Sequence, residues 1–326
     1  MRSATLLVLA ALAACAAPAP RKPIEEEPFV LSAVGTPPLT LGNGAPLPSA
    51  AHVGIPGHTA IQRIGLGQRV PIVVARLGGQ ATQLLVDTGA FDHVLDEWFA
   101  RQLAFSSPTG RGATVIDHGN RRVGMDQMAK VTLDLDGWGE IGSIAPLATK
   151  DSNSGLQRLG IGGILSPQRL LAIGSVVIDF PGGSLSATDD AAAQRQVTAM
   201  PTSLGAAERC GGRYIIRAQV ERHDARLLVD TGASNTDLRS SSPPGLALSG
   251  RSSASRESTG IGGALNTRVL SDAHVSIAQL ARTMDVSVVE DRARRESCPS
   301  DGVLGMDVLA SCVLAITGSR MQIGCK

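Results

Sequence analysis

The chain has 326 residues, of which 43% are hydrophobic and 18% charged, and its formal net charge at pH 7 is +1. This length is sufficient for two domains that each bury a core of their own. The near-neutral charge and the scarcity of aromatic residues (five Phe, two Trp, one Tyr) exclude a protein built around nucleic-acid binding, which needs basic patches and stacking platforms.

The first fourteen residues have the pattern of a signal peptide. Arg2 precedes an apolar run over residues 4–14, which is too short for a membrane-spanning helix. The run leads into Leu-Ala-Ala-Cys at residues 12–15, which resembles the bacterial lipoprotein box, whose cysteine is lipidated and starts the mature chain. We therefore predict a lipoprotein signal peptide over residues 1–14 and lipidation of Cys15. The alternative is ordinary cleavage after Ala13, with Cys15 incidental.

Residues 15–57 are rich in Pro, Ala and Gly and show no sustained period, which is typical of a flexible tether. An inhibitory propeptide is the alternative for this segment. Ala16, not an aspartate, follows the cysteine. By resemblance to sorted lipoproteins, this favours a cell-envelope protein anchored to the outer membrane and facing the periplasm.

A seven-residue sequence that occurs twice is the most informative pattern in the chain. LLVDTGA occupies residues 84–90 and returns at residues 227–233. The similarity extends upstream without a gap, so that residues 70–87 align with residues 213–230. Each copy reads as a strand, a turn and a second strand.

A second similarity lies downstream of each copy. GILS at residues 163–166 is matched by GVLG at residues 302–305, and each leads into a further predicted hairpin. Landmarks that recur in one order and at nearly one spacing indicate a tandem duplication of a β-rich lobe. We predict an N-terminal lobe over residues 58–195 and a C-terminal lobe over residues 196–326.

Four cysteines follow the tether, and all lie in the second lobe: Cys210, Cys298, Cys312 and Cys325. An even number in an exported chain suggests disulfides. If residues 318–319 form a two-residue hairpin turn, Cys312 and Cys325 face each other at a non-hydrogen-bonded pair, where side chains approach most closely. We predict this disulfide and, by elimination, Cys210–Cys298. Free buried thiols are the alternative.

Neither a metal site nor a cofactor is expected. No CxxC or His-rich spacing is present, and the six histidines are scattered along the chain. Each histidine is therefore interpreted as a surface or turn residue.

The paired Asp-Thr-Gly-Ala motifs, each with its later apolar segment, resemble the aspartic peptidase superfamily. The likeness covers residues 60–325 and combines the motif of retropepsins with the single-chain duplication of pepsins. It implies an all-β fold of two homologous retropepsin-like β-barrel lobes, with the active site at their interface. It also implies that Asp87 and Asp230 are the catalytic residues.

The neighbouring residues fit this interpretation. Gly89 and Gly232 allow a tight turn and a close approach of the two loops, which a Cβ would crowd. Thr88 and Thr231 resemble the family residues whose hydroxyl groups tie the two loops together. We assign all four to support of the catalytic loops.

Two carboxyl groups brought this close share one proton. The ionised member takes a proton from a bridging water while the protonated member polarises the scissile carbonyl. The sequence does not assign the proton to either aspartate. It predicts an aspartic endopeptidase with a polypeptide substrate, no nucleic-acid partner and no cofactor, acting as a monomer because one chain supplies both aspartates. The alternative is a noncatalytic envelope lipoprotein that binds peptides or proteins in the same cleft.

Two departures from the family pattern bear on activity. Ser166 stands where the family has glycine, which puts the support of the Asp87 loop in question. Ala90 and Ala233 stand where pepsins have serine or threonine, so they cannot donate a hydrogen bond that lowers the pKa of the carboxyl group. We therefore predict a pH optimum less acidic than that of a gastric enzyme, and not below about pH 3.

A candidate substrate-covering flap lies in the second lobe. Gly260, Ile261, Gly262 and Gly263 form a glycine-rich tip before a predicted strand at residues 268–277, similar to the flap hairpin of retropepsins. An ordinary surface loop is the alternative. In the first lobe, residues 113–117 and 121–127 are predicted to form the equivalent hairpin.

Overall fold

The computed structural model describes residues 58–63, 70–103, 112–116, 122–151, 153, 156–157, 159–251, 254–260, 263–290, 298–318 and 320–326. All of them lie in one compact unit. The strands of the first half are β1 His58–Ala60, β2 Gln62–Arg63, β3 Pro71–Leu77, β4 Gln80–Val86, β5 Val94–Leu95, β6 Gly112–Ile116, β7 Arg122–Gln127, β8 Val131–Leu135, β9 Gly139–Ile144, β10 Leu147–Thr149, β11 Ile161–Leu165, β12 Ser175–Asp179 and β13 Ser184–Thr188.

The strands of the second half are β14 Thr202–Cys210, β15 Arg213–Val220, β16 His223–Val229, β17 Asp237–Arg239, β18 Ala254–Gly260, β19 Gly263–Ile277, β20 Leu280–Val289, β21 Gly302–Leu304, β22 Cys312–Thr317 and β23 Arg320–Cys325. The α-helices are short: α1 Glu97–Gln102, α2 Asp190–Thr198, α3 Pro243–Leu248 and α4 Met306–Leu309. Two 3-10 helices cover Pro167–Ala172 and Ser249–Arg251. The predicted all-β, two-lobed architecture is confirmed.

The first lobe is built on a ten-stranded sheet with the order β6-β7-β10-β5-β11-β4-β3-β8-β9, to which β2 adds through β3. Strand β4 lies between β3 and β11, and its last five residues are all buried. A strand that is covered on both faces reads as a continuous apolar run, which explains Leu84, Leu85 and Val86 before Asp87. The buried end of β4 therefore holds Asp87, the residue that follows it, in a fixed position.

The second lobe contains a closed barrel of six strands in the order β15-β16-β21-β17-β20-β19, and the pairing of β19 with β15 completes the ring. In the first lobe, two shorter strands take the place of each of the long strands β19 and β20. Strands β7 and β8 correspond to β19, and strands β9 and β10 correspond to β20. The break between β9 and β10 falls at Ala145 and Pro146, because proline has no N–H for the ladder. Gln127 donates to both of their carbonyl oxygens, at 2.8 and 3.2 Å. One lobe is thus a closed barrel and the other a half-barrel.

A sheet shared by both lobes joins them. The hairpin β12–β13 of the first lobe pairs with the hairpin β22–β23 of the second through antiparallel β12 and β22. Helix α2 covers one face of this sheet, where Ala193 and Val197 contact Val177, Val313 and Ala315. The shared sheet fixes the position of one lobe against the other.

Two disulfides stabilise the second half of the chain. Cys312 and Cys325 are directly opposed on β22 and β23 and are bonded to each other, and Cys210 is bonded to Cys298. Both pairings are those that the sequence predicts. None of the helices in the described part of the chain combines the length and the apolar character needed to cross a bilayer.

Candidate active site

Two equivalent loops meet where the lobes face each other. Asp87 follows β4 and Asp230 follows β16, and each strand is paired in parallel with the later apolar segment of its own lobe, β11 or β21. The backbone N–H of Asp87 donates to the Leu165 carbonyl at 3.0 Å, and that of Asp230 donates to the Leu304 carbonyl at 3.1 Å. The two repeats thus place both aspartates at the same point of the same local structure.

Thr88 and Thr231 connect these loops. The backbone N–H of each donates to the hydroxyl oxygen of the other at 3.1 Å. The Thr88 hydroxyl donates to the Val229 carbonyl at 2.7 Å, and the Thr231 hydroxyl donates to the Val86 carbonyl at 2.6 Å. Both threonines are fully buried. Each loop is therefore tied to the end of the strand that carries the opposite aspartate.

Gly89 and Gly232 permit the close approach of the carboxyl groups. A Cβ on Gly89 would lie 2.6 Å from the Cγ of Asp230, and a Cβ on Gly232 would lie 2.7 Å from the Cγ of Asp87. Carbon atoms do not approach so closely, so any side chain here would displace the opposite aspartate. Glycine is required at each of these two positions because the aspartate of the opposite lobe leaves no room for a Cβ.

The carboxyl groups of Asp87 and Asp230 are hydrogen-bonded to each other. Burial raises the pKa of Asp87 well above its ordinary value, and the negative charge and hydrogen bond of Asp230 raise it further. The N–H groups of Gly89 and Ala90 oppose this shift by donating to Asp87 Oδ1 at 2.7 and 3.1 Å. Asp230 Oδ1 accepts from the N–H of Gly232 at 2.8 Å. Such a pair holds one proton over a range of pH in which isolated carboxyl groups are ionised.

The two loops rest on different supports. In the first lobe, the Ser166 hydroxyl donates to the Ala90 carbonyl at 2.8 Å, and its backbone N–H donates to His93 Nδ1 at 3.2 Å. In the second lobe, the N–H of Gly305 donates to the Thr236 hydroxyl at 3.2 Å. Ser166 is fully buried and its hydroxyl has a partner, so the serine is part of the support of the Asp87 loop.

A serine at the equivalent position of the second lobe would not fit. A Cβ on Gly305 would lie 2.5 Å from the carbonyl carbon of Asn235. The departure from glycine at position 166 is thus tolerated in one lobe only.

Two further residues contact the support of the Asp87 loop or the loop itself: His93 Nδ1 accepts from the Ser166 N–H, and Gln168 Nε2 donates to the Thr88 carbonyl at 2.7 Å. The sequence does not single out either residue. The sequence predicts a surface or turn position for His93, which is wrong: the residue is only 5% exposed, and burial lowers its pKa to about 4. The charges beside it are Asp92, which acts against this shift, and Arg169, which adds to it; the two form a salt bridge. The repeat aligns His93 with Thr236, whose hydroxyl supports the loop of the second lobe, so the alignment could have indicated the role of His93.

The candidate flap is a hairpin of β18 and β19, in which Gly260 and Gly263 are the last paired residues before the turn. Ile261 and Gly262 lie outside the described residues. In the first lobe, β6 and β7 form the corresponding hairpin, with Ile116 paired to Arg122. Cys15, with the predicted signal peptide and tether, also lies outside the described part of the chain.

The fold and the paired loops define a two-lobed protein of the aspartic protease type. A sequence model of the aspartyl protease family matches residues 216–308, a range that includes Asp230, Thr231 and Gly232. This match supports membership of the aspartic peptidase superfamily. A search of curated proteins found no match. The family match supports a peptidase type of hydrolytic activity.

Proposed function

We propose that the protein is an aspartic endopeptidase that cleaves polypeptides with a water molecule activated between Asp87 and Asp230. The observation that carries the proposal is the pair of interacting carboxyl groups on the two equivalent loops, in which burial and the neighbouring Asp230 raise the pKa of Asp87. A pair in which one member is ionised and one protonated supplies a general base and a general acid at the same place.

The proposed reaction uses this pair twice. The ionised carboxylate takes a proton from water as the water oxygen attacks the scissile carbonyl carbon, and the protonated carboxyl donates a hydrogen bond to the carbonyl oxygen. The tetrahedral intermediate then breaks its C–N bond, and the leaving nitrogen receives the proton held by the pair. The Thr88–Thr231 connection keeps both carboxyl groups at the spacing that the water requires.

An extended polypeptide is the proposed substrate. Strand β18 of the candidate flap is the last strand in the order of its sheet, so one side of its backbone is not used by the described strands. An extended peptide binds such an edge through main-chain hydrogen bonds, as a further strand. Strand-like binding places the peptide bond in a defined orientation.

Attachment to the cell envelope is the second element of the proposal. It rests on the apolar run before Cys15 and on the tether-like composition of residues 15–57. Mass spectrometry of the N-terminal peptide from the membrane fraction tests it. A diacylglyceryl mass on Cys15, lost together with membrane association in Cys15→Ser, is the expected result. A mature chain that begins after Ala13 without lipid would contradict it.

A peptide-library digest tests the enzymatic function. The detergent-solubilised full chain is compared with Asp87→Asn and with Asp224→Asn, which makes the same chemical change at an exposed position of β16. We expect cleavage by the wild type and Asp224→Asn, inhibition by pepstatin-like compounds, and no cleavage by Asp87→Asn. Peptides that bind to the wild type without being cleaved would instead identify a noncatalytic binding protein.

A further inference from the structure

Gln168 lies directly beneath the Asp87 loop and is 7% exposed. Its Nε2 donates to the Thr88 carbonyl at 2.7 Å and also lies 3.2 Å from the Ala90 carbonyl oxygen. The carbonyl oxygen of Gly212, in the turn between β14 and β15, is 3.4 Å away. One side-chain amide therefore contacts the Asp87 loop and a turn of the second half of the chain.

The bond to Thr88 acts on a particular peptide group. The carbonyl of Thr88 and the N–H of Gly89 belong to the same peptide unit, and this N–H donates to Asp87 Oδ1 at 2.7 Å. Hydrogen bonds in series polarise one another, so a donor at the carbonyl oxygen strengthens the N–H as a donor. The series runs from the Gln168 amide through the peptide unit to the carboxyl group of Asp87.

The second lobe lacks this arrangement at the equivalent position. The repeat aligns Gln168 with Asp307, whose carboxylate oxygens accept from the backbone N–H and the hydroxyl of Thr236, both at 2.7 Å. An ionised carboxylate has no proton to donate to a carbonyl oxygen. The glutamine is thus a feature of one lobe and not a copied element of the repeat.

We propose that Gln168 is a positioning residue that stabilises the ionised carboxylate of Asp87 through the Thr88–Gly89 peptide unit. Its kinetic consequence, a role in setting the acidic limb of the pH–activity profile, rests on the proposed function. The Ser166 hydroxyl lies 3.3 Å from Gln168 Oε1, but its one proton is donated to the closer Ala90 carbonyl oxygen at 2.8 Å, so Gln168 does not depend on Ser166 for its position.

The chain offers a matched control for this inference. The Ser166 hydroxyl also donates to the Asp87 loop, but its acceptor is the Ala90 carbonyl. That carbonyl shares its peptide unit with the N–H of Phe91, not with the Gly89 or Ala90 N–H groups that contact Asp87. Ser166→Ala and Gln168→Met each remove a hydrogen bond from the same loop, and only the second removes the series that ends at Asp87.

The experiment is a carboxyl ¹³C NMR titration of the full chain labelled at the aspartate side chains, with the pair assigned through Asp87→Asn and Asp230→Asn. We expect Gln168→Met to raise the lower apparent pKa of the pair by roughly 0.3–0.5 pH unit, because the ionised form loses support. Ser166→Ala should leave that pKa within error of the wild type. The acidic limb of kcat/KM should move with the NMR value.

An unchanged lower pKa in folded Gln168→Met, or an equal shift in Ser166→Ala, would overturn the inference. If Gln168→Met does not fold, Gln168→Leu provides the same test, because leucine is also uncharged and has no N–H to donate; an upward shift supports the inference and no shift refutes it. The NMR titration needs no substrate. Lack of cleavage by the wild type would therefore contradict the proposed function without deciding the role of Gln168.

Discussion

Thr88 and Thr231 each donate a backbone N–H to the hydroxyl of the other, across the interface of the lobes and 143 residues apart in the chain. The arrangement is mutual, so neither loop can move without breaking a bond of the opposite loop. The duplicated motif thus supplies two aspartates and also the device that fixes their separation.

Thr231→Val should destabilise the protein by about 2–3 kcal/mol, because the buried Thr88 N–H loses its acceptor and the Val86 carbonyl loses its donor. Valine has nearly the same shape, so packing changes little. Urea unfolding measures the free energy. Thr283→Val, in an exposed position, is the control and should change stability by less than about 0.5 kcal/mol.

The Thr88→Val/Thr231→Val double variant refines this prediction. Since the two side chains share hydrogen bonds, the combined loss should be smaller than the sum of the single losses. Strict additivity would show that the two loops are held independently.

Gly232→Ala should reduce kcat/KM by at least about 100-fold, because the new methyl carbon would lie 2.7 Å from Cγ of Asp87 and displace the carboxyl group. Gly250→Ala is the matched control, since a Cβ there meets no atom within 4 Å. Kinetics with a cleaved library peptide give the comparison. Near-wild-type activity of Gly232→Ala would mean that the loops do not approach as described.

Much of this site follows from local sequence patterns. The apolar run before Asp87 predicts a buried strand, and the two-residue turn at residue 318 fixes the register that opposes Cys312 and Cys325. Periodicity and turn chemistry act over a few residues, so the sequence reports them directly.

The supports of the Asp87 loop have no such signature. Gln168 reaches a carbonyl 80 residues away, and a lone glutamine after a strand has no period to indicate its partner. No local pattern marks His93 either, and only the alignment of the two repeats, which places it opposite Thr236, points to it. Pro146, in contrast, is a usable signal, since proline has no N–H for the ladder and interrupts a strand. The lobe boundary after residue 195 and the anchor at Cys15 stay predictions.

Because His93 is buried, we expect the protein to lose stability in mild acid. Its pKa is about 4 in the folded protein against 6.5 for an ordinary histidine, so the unfolded chain binds a proton more readily. The free energy of unfolding should therefore fall as the pH is lowered from 6.5 to 4, by up to about 3 kcal/mol from this residue. His93→Thr, with the residue found at position 236, should lessen the slope.

Urea unfolding at pH 7, 5.5 and 4 tests this dependence. His223→Thr, at an exposed strand end, should keep the wild-type slope. An identical slope in His93→Thr and the wild type would show that the buried histidine does not control it.

The two disulfides should differ in their contribution to stability. Cys210–Cys298 joins residues 88 apart and Cys312–Cys325 residues 13 apart, and the longer loop loses more entropy in the unfolded chain. Replacing the first pair with alanine should cost about 1–2 kcal/mol more than replacing the second. Urea unfolding of the two double variants measures the difference. A larger loss for the Cys312 and Cys325 variant would contradict the entropic account.

The steady-state rate of peptide cleavage by Asp87→Asn, Asp230→Asn and the double variant tests the central claim most directly. If both carboxyl groups act on one water molecule, each single change should lower kcat/KM by at least about 1,000-fold, and the double change should add little further loss. The account would be contradicted if either single variant kept more than about a tenth of the wild-type rate, or if the two losses multiplied as independent effects do.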